Sequence, residues 1–189
     1  MITLGIDPGT AIMGYGLVES GALVHGEKPQ GPDRSDQHMG TRLGYNGLRL
    51  IEYGALVTPA HAPVVERLPM LYKGLMELIA EYKPDAMAIE ELFFNKNVRT
   101  ALAVGQARGV AILAAAHANI AVAEYTPLQV KQAVVGYGRA TKEQVQNMVR
   151  ILLNMDHIPR PDDAADALAI AICHIHSQAY QQIVSGTGG

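Results

Sequence analysis

Four carboxylates, far apart in the chain, are the residues whose types and positions point to chemistry. Asp7 closes the apolar run Ile2-Thr3-Leu4-Gly5-Ile6, just before Pro8-Gly9-Thr10, and Glu90 closes a second run, Ala86-Met87-Ala88-Ile89. Asp163 and Asp166 stand at the head of an apolar stretch that continues through Ala167, Leu168 and Ala169. Acidic groups at the inner ends of buried elements are costly unless something cationic pairs with them. Divalent metal ions would do so, and two metals held by carboxylates is the chemistry of phosphodiester hydrolysis.

Each carboxylate also has a plainer reading. Asp163 and Asp166 are three apart and share a helix face, where they could simply complement the helix dipole. Asp162 fits a cap or first-turn role beside Pro161, and its four-residue spacing to Asp166 would let it substitute in a site. Glu90 follows the buried alternation of Ala86 and Ala88, whereas its neighbour Glu91 points to the other face of a strand. The Asp7-Pro8-Gly9-Thr10 turn also resembles the phosphate-binding turn of the actin, hexokinase and Hsp70-type ATPases. That architecture needs two such domains and a second phosphate loop, for which 189 residues are too few.

The elements that must position these groups follow from periodicity and punctuation. Strands are expected at 2–7, 14–19, 48–58, 85–90 and 120–125. The first is a nearly continuous apolar run, as in a strand buried on both faces. Helices are expected at 64–82, where Leu68, Leu71, Leu75, Leu78 and Ile79 recur at helical spacing, and at 98–118, 127–135, 141–153 and 161–182. Thr141 and Gln144 form a capping-box signature, and Lys83-Pro84 ends the first helix. Residues 25–47, rich in Gly, Asp, Pro, Gln and Arg, read as an extended hairpin tip or mobile loop. Three strands followed by alternating helices and strands make an α/β sandwich with a mixed five-stranded sheet. Residues 1–182 are expected to form one domain, with 183–189 a flexible tail.

Composition is that of a globular protein, 49% hydrophobic and 17% charged, with no apolar run of membrane-spanning length. The opening residues lack the basic and apolar pattern of a secretory leader, so a cytoplasmic protein with no membrane partner is expected. One cysteine, Cys173, excludes an internal disulfide and reads as a small core residue. His174 and His176, two apart near a helix end, read as helix-terminal or surface residues on different faces. The net charge of −3 gives no overall basic balance for nucleic acid,. Yet residues 92–160 hold eight positive side chains (Lys96, Arg99, Arg108, Lys131, Arg139, Lys142, Arg150 and Arg160) against three negative ones.

Several longer segments carry a specific resemblance. Gly5-Ile6-Asp7-Pro8-Gly9-Thr10 with Gly14-Tyr15-Gly16, Ala88-Ile89-Glu90-Glu91-Leu92-Phe93 and Gly105-Gln106-Ala107-Arg108-Gly109 resemble the RuvC family of Holliday junction resolvases. Gln129-Val130-Lys131-Gln132, Val134-Val135-Gly136 and Asp163-Ala164-Ala165-Asp166-Ala167-Leu168-Ala169 extend the match to about residue 177. The resemblance implies a ribonuclease H-like fold, a homodimer and cleavage of four-way DNA junctions by paired nicks. It also implies Mg²⁺ or Mn²⁺, two ions per site, and a branch-migration helicase complex of the RuvA and RuvB type as partner. Asp7, Glu90, Asp163 and Asp166 would be the metal-binding catalytic carboxylates, though some relatives carry His at the position of Asp163. Phe93 resembles an aromatic that stacks on a base near the junction centre. Lys131 and Lys142 match basic residues near the scissile phosphates, with Lys142 stabilising phosphate charge. Lys96, Arg99, Arg108 and Arg139 would join Lys131 in holding the DNA backbone. The helix from Val98 is a candidate dimer face, and the long polar segment departs from the family pattern. A junction-binding relative without catalysis is the remaining alternative, disfavoured by the intact carboxylates.

Overall fold

The computed structural model describes residues 1–21, 44, 47–91 and 98–186, with backbone alone at 98–100. Five strands, β1 (Ile2–Asp7), β2 (Ile12–Ser20), β3 (Leu48–Val57), β4 (Ala86–Glu90) and β5 (Ala121–Tyr125), form one sheet in the order β3-β2-β1-β4-β5. The pairs β1–β2 and β2–β3 are antiparallel, and β1–β4 and β4–β5 are parallel. The apolar run of β1 thus becomes the central strand, as its burial on both faces required.

Side-chain alternation splits the core into two layers. Leu4 and Ile6 of β1 and Met87 and Ile89 of β4 pack against α1 (Val64–Tyr82) and α2 (Val98–His117). The opposite face carries Ala88 under α3 (Pro127–Val135), α4 (Lys142–Leu152) and α5 (Asp162–Gly186). Asp7 follows Gly5, and Glu90 follows Ala88, so both point to this second layer.

Glycines on that face let α5 lie directly on the sheet. Gly5 pairs with Gly16 and Asp7 with Gly14 across β1 and β2. A Cβ at Gly5 would stand 2.0 Å from the carbonyl oxygen of Ala167, and one at Gly14 would stand 2.0 Å from that of Asp163. The acidic first turn of α5 is thereby seated over the strand pair that ends in Asp7.

Caps fix the two shorter helices. Thr141 and Gln144 form the expected capping box on α4, and Thr126 and Gln129 form a second on α3 that repeats the same Thr-x-x-Gln signal,. Lys83, in the left-handed region before Pro84, ends α1 at the expected place,.

Some expectations change. The last helix continues past Gln182 to Gly186, so residues 183–186 are helical and not part of a loose tail. No helix breaker intervenes there, and the Ser185 hydroxyl donates back to the Gln181 carbonyl. His174 is buried rather than superficial: its Nδ1 meets the Tyr125 hydroxyl at 2.9 Å under β5. His176 turns the other way, to the Ala133 carbonyl of α3 at 2.9 Å. Cys173 is buried as expected, and desolvation pushes its thiol up to about 11, which leaves it inert at neutral pH,. Of the polar segment 25–47, Gly44 and Gly47 are described, and Gly21 N–H donates to the Gly47 carbonyl at its base. Among the described residues no helix is long and apolar enough to cross a membrane.

The close approach of α5 gives a stability test. Gly5→Ala should destabilise by about 1–3 kcal/mol because backbone, not a flexible side chain, must yield. Gly21→Ala, whose Cβ would meet only a carbonyl at 3.4 Å, should change the melting temperature little; equal effects at both positions would contradict the packing account.

Candidate active site

Asp7, Glu90 and Asp166 line one cleft of about 200 Å³, together with Lys131, Lys142 and an apolar wall that includes Val130, Val145 and Ile170. Each polar group arrives from a different element: the ends of β1 and β4, the second turn of α5, the middle of α3 and the start of α4. The two capping boxes matter here, because they fix the helices that carry Lys131 and Lys142. Asp163 lies one turn before Asp166, outside the cleft lining but near enough to repel the Asp7 carboxylate.

Confinement makes the carboxylates poor anions. Burial, then repulsion from Asp166, Glu90 and Asp163, pushes Asp7 up to about 7. Burial raises Glu90, with Asp166 adding and Lys131 opposing. Burial also raises Asp166, against the pull of Lys142. The Lys142 Nζ lies 2.9 Å from Asp166 Oδ2 and 3.5 Å from Asp162 Oδ2, so one ammonium bridges the two acids. Arg160 holds the other oxygen of Asp162, which places that residue at the rim with cationic partners of its own.

A set of hard oxygen donors, buried and mutually repelling, fits the chemistry of a divalent cation. Among the described residues, no three Asp, Glu, His or Cys side chains converge closely enough to enclose one as they stand. Lys142 supplies the countercharge in this arrangement.

The remaining sequence candidates divide. Arg139 is exposed on the turn joining α3 to α4. Arg108 is committed to an ion pair with Glu124 of β5. Phe93 and Lys96 lie outside the described residues, as does the side chain of Arg99. Glu91 leaves the acidic face and donates its N–H to the Tyr125 carbonyl. Two buried polar residues on the opposite side of the sheet from the cleft had no functional part in the expectations: Arg67 and Thr58. A signal for Arg67 was present, since it stands four residues before Leu71 on the apolar face of α1.

A mixed sheet with carboxylates at the ends of two adjacent parallel strands, crossed by a helix bearing two more, defines a ribonuclease H-like nuclease. The family model described as "Crossover junction endodeoxyribonuclease RuvC" matches residues 41–174. The chain belongs to the RuvC family and is an endodeoxyribonuclease. A relative from Desulforamulus reducens is 55% identical, covering 92% of this chain and 93% of its own. One from Clostridioides difficile is 48% identical, covering 100% and 98%. The solved Thermus thermophilus RuvC in complex with a Holliday junction substrate superposes with a TM-score of 0.79 at 35% identity, covering 96% of both chains. The yeast mitochondrial Holliday junction resolvase, at 13% identity and a TM-score of 0.54, covering 94% of this chain and 80% of its own, shares the fold. This membership decides against the ATPase-like half domain.

The raised Asp7 carboxyl makes a pH prediction for the protein without divalent cations. A carboxyl whose pKa is higher folded than unfolded favours the fold at low pH, and that contribution is lost as pH rises from about 4 through about 7,. A shift of roughly three units corresponds to a loss on the order of 4 kcal/mol. Asp7→Asn should therefore melt well above wild type at pH 8 and close to it at pH 4. Parallel melting curves across that range would remove the assignment.

Proposed function

We propose that this chain resolves four-way DNA junctions by paired, symmetric nicks through metal-dependent phosphodiester hydrolysis, with Asp7, Glu90, Asp163 and Asp166 as the catalytic carboxylates. The observation that carries the assignment is the gathering of Asp7, Glu90 and Asp166 in one cleft beside two lysines. The junction as substrate is supported by the Thermus relative solved on such DNA.

Asp7, on the central strand, would be the ligand common to the metal ions, Glu90 and Asp166 would help to hold them, and Asp163 would serve as a further ligand or orient the attacking water. Mg²⁺ or Mn²⁺ held there would lower the pKa of that water and stabilise the leaving 3′ oxygen. Lys142 gives positive charge to the scissile phosphate, and Asp162, held by Arg160, keeps its ammonium near when Asp166 is otherwise engaged. Lys131 flanks Glu90 from α3 and reaches toward the same phosphate. The apolar wall of Val130, Val145 and Ile170 limits water around these charges and so strengthens them.

Lys96, Arg99, Arg108 and Arg139 complete the backbone contacts, and Phe93 stacks on a base near the junction centre. Arg108 reaches DNA only by leaving Glu124, so its share is the smallest of the four. A single nuclease domain, expected over residues 1–182 and carried by α5 to Gly186, holds all of these groups. A junction offers two equivalent strands, and a two-fold dimer supplies two matched sites. The same reading places the enzyme in the cytoplasm beside a RuvA and RuvB type branch-migration complex.

Two measurements test this. With a synthetic four-way junction and Mg²⁺ or Mn²⁺, wild type should cut symmetrically, and Asp7→Asn should be slower by roughly 10³-fold or more. A junction bound but never cut with any divalent metal would leave only a binding role. Lys142→Gln should slow cutting about 10²-fold. The same substitution should tighten Mn²⁺ binding to the DNA-free protein, read by calorimetry, because a competing cation has left Asp166. Unchanged or weaker Mn²⁺ binding would mean that the ammonium and the metal do not share that carboxylate.

A further inference from the structure

Arg67 is a buried cation with no ion pair to any of the described residues. It lies on the inward side of the first turn of α1 and is only 9% exposed. Its Nε donates to Thr58 Oγ1 at 2.8 Å, and its Nη2 is buried with no hydrogen bond. A guanidinium is costly to bury, and an apolar residue of similar volume in such a place is often neutral or stabilising. Stability is therefore a poor reason for an arginine at this position.

The contact with Thr58 shows what it holds. A threonine hydroxyl has a single proton and two lone pairs. Thr58 gives that proton to the Thr10 carbonyl at 2.6 Å, while its N–H donates to the Ala11 carbonyl at 3.0 Å. By donating into the hydroxyl oxygen, Arg67 fixes the direction of the proton and polarises the bond to Thr10. Thr10 and Ala11 belong to the turn that leaves Asp7 for β2. That turn is tight: a Cβ on Gly9 would stand 2.1 Å from the Ile12 carbonyl oxygen. A continuous chain of contacts thus runs from the guanidinium, through one hydroxyl, to the backbone three residues after Asp7.

We propose that Arg67 is a positioning residue: acting through Thr58, it locks the 8–11 turn and so aims the Asp7 carboxylate. It lies outside the cleft lining and bonds to Thr58 rather than to Asp7. The proposal rests on Asp7 being a catalytic carboxylate, and Asp7→Asn tests that separately. The arginine maintains the direction of one side chain, at some cost to the fold.

The test uses the full chain with Arg67→Met, Thr58→Val, both together, and Arg67→Lys. Melting temperature, junction affinity without divalent metal, and single-turnover nicking across a Mn²⁺ titration are measured for each. Arg67→Met should melt at or above wild type and bind the junction as wild type does. It should nick roughly tenfold to a hundredfold more slowly and need more Mn²⁺ for half its maximal rate. Thr58→Val should nick as slowly but melt lower, because it leaves the Arg67 donor buried and unpaired,; the double variant should recover the melting temperature and nick no more slowly than the slower single. Arg67→Lys keeps a donor for Thr58 and should recover part of the rate. The proposal is overturned if Arg67→Met nicks at the wild-type rate, or if rate and melting temperature fall together in Arg67→Met. It is also overturned if the two single effects multiply in the double variant. If Asp7→Asn cuts normally, the catalytic assignment is what has failed.

Discussion

At Gly14 the carbonyl of Asp163 comes so near the sheet that a methyl group would overlap it, and Gly5 meets Ala167 in the same way. This backbone-on-backbone seating of α5 is the constraint from which the site follows. A helix resting on ordinary side chains would stand farther from the sheet, and its acidic first turns would face Asp7 across a wider gap. Because Gly14 is the β2 partner of Asp7, one of the two closest approaches of helix and sheet occurs where the charges gather. Buried Ala164, Ala165, Ala167, Ala169 and Ala171 on α5 serve the same end; small residues there let the helix come down without strain.

Bringing the carboxylates together creates an electrostatic problem that the protein leaves only partly solved. Asp7 is desolvated and repelled by three acids, and one ammonium, that of Lys142, is divided between Asp162 and Asp166. A fully satisfied network would be more stable but would have no appetite for further positive charge. The partial neutralisation keeps the cleft ready to take up hard cations, at an energetic cost to the folded chain.

Much of this was legible in the sequence, for identifiable reasons. Central β1 announced itself by an apolar run too continuous for a half-exposed strand. Glu90 inherited its direction from the alternation of Ala86 and Ala88. Lys142 was located by the Thr141 and Gln144 cap. What was not legible depended on contacts between distant segments. No local pattern says that His174 will be buried under Tyr125, because two histidines near a helix end look the same whether a strand covers them or solvent does. The commitment of Arg108 to Glu124 joins α2 to β5 and has no signature in either. The final turn of α5, residues 183–186, has no apolar periodicity to mark it, and only the helical backbone carries it to Gly186.

Asp7 and Arg67 show one principle from opposite sides of the sheet. Both are charged groups in places where an apolar residue would serve the fold better, and both sit at the ends of the same short turn, one as its first neighbour and one through Thr58. Among the described residues neither burial is fully compensated, since the acid faces three acids and only a shared ammonium, and the guanidinium faces a hydroxyl. Two independent accidents of this kind, joined through Thr58 and the backbone of one short turn, are harder to account for than one coupled arrangement. The coupling follows from what hydrolysis demands of a shared ligand: a carboxylate that must serve two positions at once cannot be allowed to swing. A flexible turn after β1 would leave Asp7 free to relax away from its repelling neighbours. Bracing that turn from the far layer, where no charge of the active site is disturbed, holds the acid in the conformation it would otherwise abandon.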